Sequence, residues 1–291
     1  MAEGIGLNVW HRSPAPGSPT VLLIHGLTGT SRWWIPVISH LPASLGLVAP
    51  DIRGRGASSS LPGPYGIGTM AEDMKAVLQY LGVADATVAG YSMGAWIAAV
   101  LGNRHPEALR RIVMIDGGLR VPVDETLTED DILDAAIGPS LQRLSARFPT
   151  RQAYYDFYRE HPAFIGWWQS DLEVVLDYEL REIEGGVAVD ANRDAVAESG
   201  RDIFVNDAIV DAGRELTVPA DLLIVDHGMV GQPGGFIPEA VAAAAAEANR
   251  TLRYTMLEGL NHYSVMMGPG APHVADAIAH DRGPARATNE G

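Results

Sequence analysis

The chain has 291 residues, 47% of them hydrophobic, with 21 Lys and Arg against 36 Asp and Glu and no cysteine. That apolar content supports a substantial core in one large or two modest domains and excludes global disorder. The lack of cysteine removes disulfides, thiol nucleophiles, iron–sulfur clusters and Cys-ligated zinc, and a net charge of −15 argues against nucleic acid or an anionic membrane as partners.

Residues 1–10 include Glu3 and no basic stretch, so no secretory leader is expected. No apolar run approaches the roughly 20 residues of a membrane-spanning helix, and a cytoplasmic protein is expected. Short apolar runs then recur at 21–24, 47–49, 86–89, 111–115, 222–225 and 252–257, most of them continuous, as in parallel strands covered on both faces. Helix-like segments separate them. Thr69 with Glu72 reads as a capping box opening a helix over 70–81, a second helix is expected over 95–101, and the alanine stretch 240–248 is helix-prone. Alternation of this kind predicts an α/β sheet with right-handed crossovers. The last ten residues, 282–291, read as a frayed terminus.

Between Gly118 and about Leu216 the alternation stops. Residues 119–215 carry nine Arg against 21 Asp and Glu, a net of −12, together with Phe148, Tyr154, Tyr155, Tyr158, Phe164, Trp167 and Trp168. A connection of that length is far beyond the usual loop of about 4 to 6 residues, so a mostly helical insertion without strands is expected over the sheet. The expected organisation is a core in two parts, 1–118 and 216–291, with a helical cap at 119–215 between them.

Gly90-Tyr91-Ser92-Met93-Gly94 follows one apolar run and precedes a helical stretch. This is G-x-S-x-G in a strand-to-helix setting, where a sharp turn leaves no room for side chains two positions either side of the serine. His25-Gly26-Leu27-Thr28-Gly29 follows another run. Acyl transfer through a tetrahedral intermediate needs two backbone N–H donors beside the nucleophile, and Met93 and Leu27 stand where those donors are expected.

With Asp51-Ile52-Arg53-Gly54-Arg55-Gly56-Ala57-Ser58 after a third run and Gly259-Leu260-Asn261-His262 after the last, the chain resembles the α/β-hydrolase fold superfamily. The resemblance implies a mostly parallel sheet flanked by helices, with a helical cap inserted after the sixth strand. It makes the 51–58 segment structural and gives Arg53 no catalytic role. Of the nine histidines, His262 sits in the loop past the final strand, where it can serve Ser92 as base, whereas His273 and His280 fall on the terminal helix.

Two acids compete to orient that base. The family's usual acid follows the seventh strand, where Asp226 stands two or three residues early. A subset including haloalkane dehalogenases and zearalenone-type lactonases takes it from the end of the sixth strand, here Asp116, 24 residues after Ser92. Strand-end placement favours Asp116 over Asp226. A dehalogenase or epoxide hydrolase is disfavoured, because those enzymes use an aspartate in the elbow.

The expected activity is serine hydrolysis of a carboxylic ester or lactone of a hydrophobic small molecule, with Ser92, Asp116 and His262 as triad and Leu27 and Met93 as oxyanion donors. Two alternatives stay open: C–C hydrolysis of a diketone-type ring-cleavage product, and a low-turnover hydrolase-like ligand receptor. Trp33, Trp34, Tyr158, Trp167 and Trp168 are candidate walls of an apolar pocket. Neither a metal nor a cofactor is expected, since the chain offers no H-E-x-x-H and no clustered ligands. The acidity of the cap is expected on its solvated outer face. The oligomeric state is not encoded in any of these patterns.

Overall fold

All six apolar runs form strands. The computed structural model describes residues 6–124, 126–169 and 172–280. The first five residues and the expected frayed end at 282–291 lie outside the described residues. In chain order come β1 (Val9–Arg12), β2 (Thr20–Ile24), the one-turn α1 (Ile35–Ile38), β3 (Gly46–Pro50), α2 (Ile67–Tyr80), β4 (Ala86–Tyr91), α3 (Met93–Arg104) and β5 (Leu109–Ile115). The insertion holds α4 (Glu129–Ser145), α5 (Arg151–Arg159), α6 (Leu172–Asp177), β6 (Leu180–Ile183), β7 (Gly186–Val189) and α7 (Arg193–Val205). The chain returns through β8 (Ala220–His227), α8 (Glu239–Ala248), β9 (Leu252–Asn261), α9 (Ser264–Met267) and α10 (Ala271–Ala279).

The main sheet has the order β1-β3-β2-β4-β5-β8-β9 and is parallel except for β1, which pairs antiparallel with β3. Alternate residues serve opposite faces, which is why the runs read as continuous. Leu22, Ile24, Val88, Ile112 and Leu222 pack with Met70, Met74 and Trp96 of α2 and α3. Val21, Leu23, Val113, Ile115 and Leu223 pack with Val37, Val274 and Ile278 of α1 and α10. Each side chain of this size that is fully buried stabilises the fold by about 1.5–3 kcal/mol. β5 pairs directly with β8, so the insertion leaves and re-enters the sheet at neighbouring strands without interrupting it.

Three features differ from the expectations. The insertion follows the fifth strand among the described residues, because the chain reaches the elbow strand as its fourth. It is not purely helical: β6 and β7 form a two-stranded antiparallel hairpin, and Val187 pairs with Phe148 alongside it. The hairpin turns at Glu184-Gly185, where Gly185 takes φ +80°, a left-handed value that suits glycine. Finally, α2 begins at Ile67 with Gly66 as its N-cap, so Thr69 lies inside the first turn and forms no capping box. The cap supplies the acceptors instead. Asp202 Oδ2 takes the Ile67 N–H at 2.8 Å, and Glu198 Oε1 takes the Tyr65 N–H at 2.9 Å, placing carboxylates where the helix N-terminus is positive.

Candidate active site

The turn from β4 into α3 fixes Ser92. Its φ of 52° and ψ of −122° lie outside the ordinary regions, a strain of about 1–3 kcal/mol that the surrounding contacts sustain. The Ser92 N–H donates to the Ile115 carbonyl at 2.8 Å, binding the turn to β5. A Cβ on Gly90 would lie 2.1 Å from the Gly94 oxygen, and one on Gly94 would lie 2.2 Å from the Ile24 oxygen. Only glycine fits either position, as the motif predicts.

β5 ends one residue before Asp116, which also takes a left-handed φ of 46° and whose N–H donates to the Leu223 carbonyl of β8 at 2.8 Å. The loop after β9 brings in His262. Its Nδ1 stands 2.6 Å from Asp116 Oδ2, and its Nε2 stands 3.1 Å from Ser92 Oγ. Asp116 is wholly buried and His262 is 3% exposed. With a carboxylate on Nδ1, the proton belongs there and Nε2 is the acceptor facing the serine. Tyr91 OH donates to the His262 carbonyl at 2.8 Å, and the Tyr91 and Phe236 rings lie 5.1 and 5.0 Å from the imidazole. Asp226 is engaged elsewhere: Oδ1 meets His227 Nδ1 at 2.8 Å, and Oδ2 accepts the Gly259 N–H at 3.0 Å. The other terminal histidines sit apart from the site, His273 on α10 and His280 as its C-cap.

The loop after β2 lies against the serine, since a Cβ on Gly26 would come within 3.2 Å of Ser92 Cβ. His25 anchors this loop. Its Nδ1 faces the Gly26 carbonyl at 2.8 Å, and its Nε2 accepts the Ile52 N–H at 2.9 Å, a pattern that requires the neutral ring protonated on Nδ1. Burial lowers the His25 pKa to about 4, against an opposing pull from Asp51. Met93 is the first residue of α3, so its N–H has no acceptor within the helix. Leu27 lies in the loop that His25 holds and lines the same cleft as Ser92.

Above Ser92 and His262 is a narrow cleft of about 50 Å³ between the core loops and the cap. Trp33, Tyr263, Phe236 and Met229 come from the core, and Ala136, Ile203 and Phe204 from α4 and α7. None of the residues lining it is Lys, Arg, Asp or Glu. Of the five aromatics expected to wall a pocket, only Trp33 lines it. Trp34 is fully buried beneath the loop, while Tyr158, Trp167 and Trp168 pack around Phe164 in an aromatic cluster inside the cap. Phe204, Phe236 and Met229 carry no motif that would have singled them out. Tyr91 and Tyr263 do, as direct neighbours of Ser92 and His262. Among the described residues no group of three or more His, Asp and Glu side chains is arranged to hold a metal ion.

Polar side chains fasten the cap to this site. Tyr178 OH donates to Asp51 Oδ2 at 2.8 Å. Glu179 is 1% exposed; it accepts from the Trp33 indole N–H, from Tyr154 OH at 2.6 Å and from Arg143 at 3.3 Å. Burial raises the pKa of its carboxyl, and Arg143, Tyr154 and Trp33 oppose that rise. Glu179 is the one buried acid among the described cap carboxylates; most of the others are solvent-exposed, as expected, and several of them meet defined partners there. Arg151 takes Asp177 and Glu182, Arg120 takes Asp207 and Asp211, and Glu198 and Asp202 cap α2. In the core, Arg53 is held by Asp73 at 2.7 and 2.8 Å, away from the cleft.

A family profile described as alpha/beta hydrolase fold matches residues 19–153. The chain is 36% identical over 120 residues to a protein of Caulobacter segnis named "Putative carbamate hydrolase RutD", an alignment covering 40% of this chain and 45% of that protein. The chain thus spans less than half the length of the curated relatives it matches. Among solved structures, E-2-(acetamidomethylene)succinate hydrolase superposes with a TM-score of 0.76 at 19% identity, covering 94% of this chain and 96% of the other. The enol-lactonase from Burkholderia xenovorans superposes with a TM-score of 0.65 at 20% identity, covering 94% of each chain. At such identities the likeness is one of fold. The sheet order, the strained serine turn and these matches agree: the chain adopts the α/β-hydrolase fold.

Proposed function

We propose that the protein is a serine hydrolase that cleaves the carboxylic ester or lactone of a neutral, hydrophobic small molecule through an acyl-enzyme on Ser92. The observation that carries this reading is the continuous chain of contacts from Ser92 Oγ to His262 Nε2 at 3.1 Å and from His262 Nδ1 to Asp116 Oδ2 at 2.6 Å. A serine hydroxyl is a poor nucleophile without a base, and the base works only in the tautomer that a partner on Nδ1 enforces. His262 takes the serine proton as Oγ bonds to the carbonyl carbon. The oxyanion rests against the Leu27 and Met93 N–H groups, and His262 returns the proton to the departing alkoxide. Water, activated by the same imidazole, then releases the acid. With an uncharged lining, the cleft offers no cation to a substrate carboxylate or phosphate, which favours neutral substrates.

A second reading, hydrolysis of a small carbamate, has the name of the Caulobacter relative in its favour. It follows the same acyl-transfer steps, with nitrogen on the carbonyl. C–C cleavage of a diketone would use the same three residues, and a ligand receptor would use the cleft alone. One panel of p-nitrophenyl butyrate, a medium-ring lactone, a phenyl carbamate and a ring-cleavage diketone, assayed with wild type and Ser92→Ala, separates these readings. The expected result is multiple turnover on the ester or lactone that Ser92→Ala abolishes. Turnover confined to the carbamate or the diketone would replace the substrate class, and activity that survives in Ser92→Ala would end the serine mechanism.

A further inference from the structure

Arg55 is a fully buried arginine with no carboxylate among its partners in the described residues. All three of its nitrogens are engaged. Nε donates to the Leu27 carbonyl at 2.9 Å and Nη1 to the Arg53 carbonyl at 2.9 Å. Nη2 donates to Ser199 Oγ at 2.6 Å and to the Ala195 carbonyl at 3.2 Å on α7, and lies 3.7 Å from Met93 Sδ. One planar cation thus touches both residues assigned to the oxyanion site and the cap helix that carries Ile203 and Phe204 to the cleft wall. The approach is close by design of the backbone: Gly54, at φ +80°, would place a Cβ 2.4 Å from Ala195 Cβ.

A cation buried without a counter-ion is costly to fold around, so stability is a poor reason for its presence. Burial pulls the Arg55 pKa down to about 9, an expression of that cost. The guanidinium fork suits rigid placement of several acceptors, which a lysine ammonium cannot reproduce. We infer that Arg55 is the positioning residue that sets the Leu27 loop against Ser92 and couples it to α7, so that seating of the substrate against the cap wall is felt at the oxyanion site. This inference rests on the serine-hydrolase reading and adds to it a residue that never touches the substrate.

A residue acting this way affects transition-state binding more than ground-state binding. The test compares wild type, Arg55→Met, Arg55→Lys and Ser199→Ala with p-nitrophenyl butyrate as substrate and phenylboronic acid as a tetrahedral-adduct probe. Complete loss of an oxyanion donor costs about 10²- to 10³-fold, so a displaced donor in Arg55→Met is expected to lower kcat roughly 10- to 100-fold. KM should stay within about twofold, boronate affinity should fall in step with kcat/KM, and Arg55→Lys should not restore either. Ser199→Ala keeps the Leu27 contact and removes only the hydroxyl on α7, so the same pattern is expected at smaller size. Unchanged kcat in a folded Arg55→Met, or a loss carried by KM with boronate affinity intact, overturns the inference. If Arg55→Met does not fold, Ser199→Ala decides: kcat and boronate affinity equal to wild type overturn it. Activity persisting in Ser92→Ala would instead overturn the underlying serine mechanism, so the two failures are distinguishable.

Discussion

In the core, Ser92 is fixed by atoms that cannot yield: backbone oxygens fill the space beside Gly90 and Gly94, and the Ser92 and Asp116 N–H groups are bound to neighbouring strands. The cap meets the core backbone at a seam, Gly56 N–H to the Asp190 carbonyl and Asn192 N–H to the Gly54 carbonyl, and elsewhere its position depends on side chains reaching for one another, such as Tyr178 for Asp51 and Glu179 for Trp33, Tyr154 and Arg143. Backbone placement is rigid and nearly independent of solution conditions, whereas buried polar pairs hold only while both partners are present and correctly charged. Damage to the first region should therefore appear as lost chemistry, and damage to the second as lost stability or an altered cleft wall.

The largest contrast lies within the core. Asp116→Asn is expected to lower kcat on p-nitrophenyl butyrate by about 10³- to 10⁴-fold through the wrong His262 tautomer, and Asp226→Asn by less than about threefold. Steady-state kinetics on the two variants check this, and the reverse ranking would transfer the orienting role to Asp226. In the cap, Glu179→Ala leaves the Arg143 cation buried without its acid and is expected to cost about 3–5 kcal/mol in urea unfolding. Labelling of Ser92 by a fluorophosphonate should persist in the protein that remains folded. If labelling vanishes while the fold survives, the two regions are less separable than their attachments imply.

Acid probes the boundary between them. His25 is neutral in the folded chain with its pKa lowered to about 4, against about 6.5 when unfolded. The unfolded state therefore binds the extra proton first. This group's contribution is complete above pH 6.5 and is lost as pH falls toward 4, amounting to roughly 3 kcal/mol. Thermal melts between pH 7 and 4 should show that decline, with a shallower slope in His25→Asn, and equal slopes would remove His25 as the cause. The smallest expected effect concerns charge. Matched anionic and neutral esters should differ in kcat/KM by less than about tenfold in favour of the neutral one, with the gap narrowing as salt screens the acidic cap. A preference for the anionic ester would point to a cation reaching the cleft.

The core could be read from sequence because its signals are local. Each strand is a continuous apolar run, and the elbow is a pentapeptide whose glycines are required by atoms a few positions away. Asp116 was legible as a strand-end acid, although its contact with His262 spans 146 residues and only the fold brings them together. The cap hairpin was missed because β6 and β7 have four residues each and stand in an acidic stretch, yet Glu184-Gly185-Gly186 between two short runs is a hairpin signal. The start of α2 was misplaced because its caps, Glu198 and Asp202, lie more than 130 residues away. The aromatics misled for a related reason: composition shows that rings are present, and only packing decides whether Trp167 faces a ligand or Phe164.

The direct pairing of β5 with β8 also governs the order in which the protein can become reactive during synthesis. Ser92 and Asp116 emerge early, on adjacent strands, whereas His262 follows the entire insertion and the last strand. On the proposed mechanism a nascent chain ending anywhere before β9 holds a serine without a base, and such a hydroxyl is inert at neutral pH. The nucleophile is thus armed only when β9 docks on β8. By then the cap that walls off the cleft has already been made.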